Sequence, residues 1–112
     1  MSGQILRNVD FPFPDARFPE LLGAVVQRTV LIGEEPARVV IHDEHNDWLV
    51  GDGVNDPNLP GASVLACISH LAEDDPAVAE LVTLPIGHAA TRDDPAKPWT
   101  VTPHEWPDDD HH

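Results

Sequence analysis

Apolar positions fall in short runs divided by proline, glycine and acidic residues, and the character of each run predicts an element. Residues 24–32 (AVVQRTVLI) are dense in β-branched side chains, which suit a pleated surface, and predict a strand. Gly33-Glu34-Glu35-Pro36 is a turn, residues 38–42 (RVVIH) a second strand, residues 43–46 a polar turn and residues 47–51 (DWLVG) a third strand. Short polar links between three strands predict an antiparallel meander. Residues 51–61 hold three glycines, two prolines and two asparagines, the composition of a surface loop. Val64, Leu65, Ile68, Leu71 and Ala72 then recur at helical spacing, with Ser69, His70 and Glu73 on the opposite face. Asp75-Pro76 supplies an N-cap and a proline at the first helical position. It opens a second short helix with Val78, Leu81 and Val82 as its apolar stripe. Leu84-Pro85-Ile86-Gly87 stops that helix, and residues 86–92 form a further strand.

Both ends differ from this core. Residues 1–20 form an extended lead-in arm holding all three phenylalanines, Phe11, Phe13 and Phe18, next to Pro12, Pro14 and Pro19. Docking of these rings onto the core is favoured over a proline-rich ligand for another domain, because the chain has few other aromatics. Residues 93–112 are an acidic, proline-rich tail in which Trp99 and Thr100-Val101-Thr102 are the parts expected to dock. The expected fold is α+β. It is a single small domain in which residues 21–92 form an antiparallel sheet of four or five strands, with two short helices (64–73 and 76–82) on one face. Trp48, Val40, Val30 and Ile68 should lie in or near its core.

A length of 112 residues allows one domain, and 41% apolar residues place it among folded chains. Charge changes the picture most. Twenty acidic residues against six basic ones give a net charge of −14, which argues against nucleic acid or an anionic membrane as partner. A single cysteine, Cys67, excludes an internal disulfide framework. With no signal-peptide pattern and no apolar run of about 18 residues, a cytoplasmic protein is expected.

The densest candidate chemistry is His42, Asp43, Glu44, His45 and Asp47. Imidazole and carboxylate together suit a divalent ion, with His42, His45 and Asp47 as the ligands. The spacing fits poorly. The two histidines are three apart in a strand–turn segment instead of four apart on a helix, and Trp48 stands where a calcium loop needs glycine. Asp52, Asn55 and Asp56 lie in the glycine-containing loop, which matches no nucleotide fingerprint. Cys67 and His70 are within reach on a helix, yet no orienting third group accompanies them, so a packed thiol is the expectation. The terminal Asp108-Asp109-Asp110-His111-His112 run is not taken as a site.

The order of motifs resembles a family of small bacterial proteins long classed as a domain of unknown function, one branch of which comprises immunity proteins of polymorphic toxin systems. The resemblance is carried by Phe11-Pro12-Phe13-Pro14, Gly33-Glu34-Glu35-Pro36, the run from Val39 to Glu44 and on to Asp47-Trp48, Gly51-Asp52, Ile68, Asp75-Pro76, Leu84-Pro85-Ile86-Gly87, Arg92 and Trp99. It spans about four-fifths of the chain. Leu49, Val50, His88 and Gln27 depart from the family pattern. The resemblance implies a compact α+β domain with a binding role, and it supplies no catalytic residue.

The leading functional expectation is therefore a non-catalytic acidic binding protein, with no cofactor, acting as an immunity protein that occludes a basic toxin. Asp43, Glu44, Asp47, Trp48, Asp52 and Asp56 are its expected binding surface. The alternative is a metal-dependent module or enzyme built on the His42/Asp43/Glu44/His45/Asp47 cluster.

Overall fold

In the computed structural model, which describes residues 9–13, 17–56 and 59–104, the apolar runs assemble into one mixed six-stranded sheet. The elements are β1 (Gly23–Gln27), α1 (Arg28–Leu31), β2 (Val39–His42), β3 (Trp48–Gly51), β4 (Ser63–Cys67), α2 (Ile68–Asp74), α3 (Pro76–Ala79), a 3₁₀ turn (Glu80–Thr83), β5 (His88–Thr91) and β6 (Thr100–Pro103). Expectations for residues 1–8, 14–16, 57–58 and 105–112 lie outside the described residues. The architecture is a small α+β domain, and the sheet has six strands in the order β4-β1-β3-β2-β5-β6 instead of four or five antiparallel ones.

Three departures from the local pattern share one cause, the choice of distant partner. First, the run from Ala24 to Ile32 is not one strand: it leaves the sheet at Arg28 and turns into α1. The Arg28 backbone N–H still bonds Ala62 O at 2.7 Å, but the next side chain, Thr29, donates its hydroxyl to Asp52 and draws the chain out of the sheet. Second, β1, β2 and β3 are not a meander. β1 runs parallel to β3, with Val25 opposite Leu49, and β2 lies on the far side of β3 as its hairpin partner. Third, residues 63–67 form an edge strand antiparallel to β1, and only from Ile68 does the helical period apply. The strand turns Val64 and Ala66 to the interior and Leu65, 43% exposed, to the outer face, where one helix would have put Leu65 inward and Ala66 outward; Ile68 and Leu71 face the interior either way.

Other expectations hold. Asp75 caps α3, accepting the Ala77 N–H at 3.0 Å with Pro76 in the first turn. The arm docks: Phe13 and Phe18 are buried and meet Trp48 at centroid distances of 6.2 and 5.1 Å. Trp48, Val40 and Ile68 are buried with Ala24, Val26 and Val50 under α2 and α3, and Val30 packs against them half-buried.

Residues 99–103 are more than a docked tail: β6 pairs along β5 from Thr91↔Thr100 to His88↔Pro103. The buried Arg92 holds this segment. Its guanidinium donates to Ala37 O at 2.8 and 3.0 Å and to Pro95 O at 3.2 Å, meets Asp75 at 3.3 Å and lies 4.1 Å over the Trp99 ring. Asp75 therefore serves both a helix start and the tail. Asp75→Ala is expected to cost about 1–2 kcal/mol, read by urea unfolding. Glu80→Gln, an exposed side chain at the end of α3 whose backbone closes that helix, should leave stability unchanged within about 0.5 kcal/mol.

Candidate functional site

The β2–β3 turn separates its own cluster of chemically active residues. His42 ends β2 on the core face and is fully buried; its Nδ1 lies 2.7 Å from Leu84 O and its Nε2 2.6 Å from Asn46 Oδ1. The Asn46 amide nitrogen is committed to Val9 O at 2.8 Å. Both ring nitrogens are thus occupied, and the ring stacks on Trp48 at 3.9 Å. Asp43 is buried too, and its Oδ1 accepts the backbone N–H groups of His45 and Asp47, both at 2.9 Å, which closes the turn. Glu44 and His45 point outward, 3.5 Å apart. The metal alternative therefore does not assemble: His42 faces the core while His45 faces solvent. Among the described residues no three ligating side chains converge. Cys67 ends β4 as the residue before α2 and is half-buried, while His70 is exposed.

The loop after β3 is organised by Asp52, whose side chain is fully buried. Its Oδ1 accepts from the Val54 and Asn55 backbone N–H groups at 2.9 and 2.8 Å. Its Oδ2 accepts from the Thr29 hydroxyl at 2.5 Å and from the Asn55 amide at 2.7 Å. Burial by itself raises the carboxyl pKa. The hydrogen bonds from Asn55, Thr29 and Val54 outweigh it and hold the group well below the usual carboxylate range. Gln27 completes the frame, accepting the Asp52 N–H at 2.8 Å and donating to Asn55 O at 3.1 Å. Gly51 permits this crossing, since a Cβ there would stand 3.2 Å from Gln27 Oε1. Gly53, at φ +76°, lies where a Cβ would stand 3.2 Å from Arg38 Cβ.

Of the six residues expected to form a binding surface, Trp48, Asp43 and Asp52 are thus turned inward and build the frame. Glu44 and Asp56 are exposed and Asp47 is half-buried. What the frame presents between them is the outer face of the sheet. Register places Leu65, Val25, Leu49, Ile41 and Ala89 in one row across five strands, with Thr102 at its end. Leu65 is 43% exposed, Val25, Leu49 and Ile41 are half-buried and Ala89 is buried, and none of the five is part of the main core cluster. A groove of about 320 Å³ lies on this face. Val39, Ile41 and Leu49 are among its apolar lining residues, and Gln27, Asn55 and Ser63 among its polar ones. Asp47 directly precedes β3, two residues before the groove residue Leu49, and Asp56 directly follows the groove residue Asn55.

Sequence reasoning missed this face, although a signal was present. Val25-Val26, Val39-Val40-Ile41, Leu49-Val50 and Val64-Leu65-Ala66 are continuous apolar runs, whereas a half-solvated strand alternates. No family model, curated protein or solved structure matches the chain. No helix among the described residues is long and apolar enough to cross a membrane.

Proposed function

We infer that this chain is a non-catalytic binding domain that docks a basic protein on the outer face of its sheet and blocks it, as an immunity protein blocks a basic toxin. The observation that carries the reading is the uncharged apolar row Leu65–Val25–Leu49–Ile41–Ala89, bordered by Asp47 and Asp56 in a molecule of net charge −14. The apolar row supplies affinity by burial. The acidic field supplies partner choice and speed of encounter, and repels phosphate-bearing competitors. The inward use of Asp43 and Asp52 also supports a binding role, since it rigidifies the two loops at the ends of the groove.

The test is capture with the immobilised chain of proteins encoded beside its gene, at low and high salt. Retention of a basic protein that is lost at high salt is expected, and no basic protein retained at low salt would end the reading. Glu44→Lys with Asp56→Lys should slow association by about tenfold and leave dissociation unchanged, whereas Leu49→Ser should mainly speed dissociation.

A further inference from the structure

We propose, resting on the docking reading above, that the groove on the outer face is a socket for one large apolar side chain of the partner. That side chain is the partner's anchor, and the partner's basic residues stay outside the socket.

Two glycines open the space. Gly51 stands opposite Val39 of β2, and a Cβ on it would lie 3.2 Å from Gln27 Oε1 on its other side. The sheet surface therefore has a gap between Gln27 and Val39. Gly53, at φ +76°, brings the loop backbone against Val39, since a Cβ there would stand 3.5 Å from Val39 Cγ2. Leu49 and Ile41, paired in register, close the socket toward the middle of the sheet. The volume of about 320 Å³ admits one large side chain with the backbone that carries it.

The lining chemistry selects the occupant. No charged residue lines the groove, and its three polar side chains each already hold a partner inside the protein. Gln27 accepts the Asp52 N–H at 2.8 Å and donates to Asn55 O at 3.1 Å; Asn55 donates its amide to Asp52 at 2.7 Å; Ser63 is engaged as well. A lysine, arginine or glutamine of the partner would give up its water there without an equal set of bonds in return. An apolar side chain forfeits none and gains burial. Glu44, exposed on the β2–β3 turn, remains for basic residues around the anchor. A dry apolar centre inside a charged rim is the arrangement that concentrates binding energy in few residues. The walls are also set before the partner arrives. Asp52 holds the Val54 and Asn55 N–H groups, and Arg38 donates to Asp52 O at 2.9 Å, so little loop ordering opposes insertion.

The test titrates the full chain with three probes, N-acetyl-phenylalaninamide, N-acetyl-glutaminamide and N-acetyl-argininamide, and follows the backbone amide shifts. The phenylalanine probe should bind saturably, with a Kd on the order of 1 mM, and move the Leu49, Gly51 and Gly53 amides most. The glutamine probe should leave these amides in place, and so should the arginine probe at moderate salt. Val39→Phe, which fills the socket from its wall, should weaken the phenylalanine probe by about tenfold or more and keep Tm within about 5 °C. It should also speed release of a captured basic protein while the salt dependence of association stays as in wild type. The absence of a saturable shift at the three amides with the phenylalanine probe overturns the proposal. So does tighter binding there by the arginine probe. Capture of a basic protein as firmly by Val39→Phe as by wild type overturns the socket and leaves the docking reading standing. Capture of no basic protein ends the docking reading, and the phenylalanine titration then decides the socket by itself.

Discussion

Asp52→Ala is expected to lower the unfolding free energy by about 2–4 kcal/mol and to release the loop that closes one end of the groove. The carboxylate is the common acceptor for the Val54 and Asn55 N–H groups, the Thr29 hydroxyl and the Asn55 amide, and Gln27 is aligned by the same backbone. The Val54 and Asn55 donors recover water because their residues are exposed; Thr29 is less accessible, which keeps the cost below the sum of four bonds. Asp52→Asn separates charge from shape. One amide oxygen can still take the Val54 and Asn55 N–H groups, but its NH₂ would face the Asn55 amide donor. The native carboxyl is held below its ordinary value, so its contribution is complete above the unfolded-state pKa of about 3.9 and is lost as pH falls below that toward the folded-state value. The stability gap between wild type and Asp52→Asn should therefore be widest near neutrality and narrow below about pH 4. Urea titrations across pH measure it; a gap constant down to acid pH would mean the charge contributes nothing. Glu44, on the β2–β3 turn, is unaffected by the change, so partner association should keep a salt dependence while losing affinity.

The legible parts of this fold are those decided locally. Residues 38–42 and 47–51 sit on either side of a turn whose own Asp43 closes it, so β2 and β3 were readable from sequence. Asp75-Pro76 likewise announces α3 with groups two residues apart. The illegible parts are decided across the chain. The chain leaves the strand at Thr29, whose hydroxyl Asp52 claims, although the Arg28 N–H still follows the β1–β4 ladder to Ala62 O. Residues 63–67 become a strand because β1 offers an edge forty residues earlier, which no local period records. Proline content made residues 99–103 read as a tail, yet Pro103 sits where its missing N–H faces solvent and costs the ladder nothing. The candidate site divides in the same way. Composition pointed to acidic residues at the two loops, and Glu44 and Asp56 are displayed there. Trp48, Asp43 and Asp52 were assigned to the same surface because side-chain chemistry was read without burial. Phe18 beside Trp48 and Thr29 on Asp52 lie too far away in sequence for spacing to reveal, whereas Asp43 is held by the His45 and Asp47 N–H groups of its own turn.

Trp48→Ala should cost about 3–5 kcal/mol, the largest effect of any single change, because this ring is where four separate segments meet. It is 1% exposed, stacks on His42 with planes 15° apart, and meets Phe18 edge-on and Phe13 at a tilt. Its loss opens a cavity beneath β2 and β3 and removes the surface on which the arm is seated, so the arm and the Asn46–Val9 contact should loosen together. For a domain of this size the cost corresponds to a fall in Tm of roughly 15 °C. Trp48→Phe discriminates packing from polarity. Among the described residues no acceptor reaches the buried indole N–H, and phenylalanine deletes that orphaned donor while keeping most of the apolar contact. Its cost should therefore be only about 1 kcal/mol, despite the lost volume. Thermal unfolding of both variants, read with amide exchange at Val9 and Phe13, decides the point. Equal destabilisation by phenylalanine and alanine would show that the indole makes a specific polar contact, and the arm would then be held by that bond instead of by ring packing.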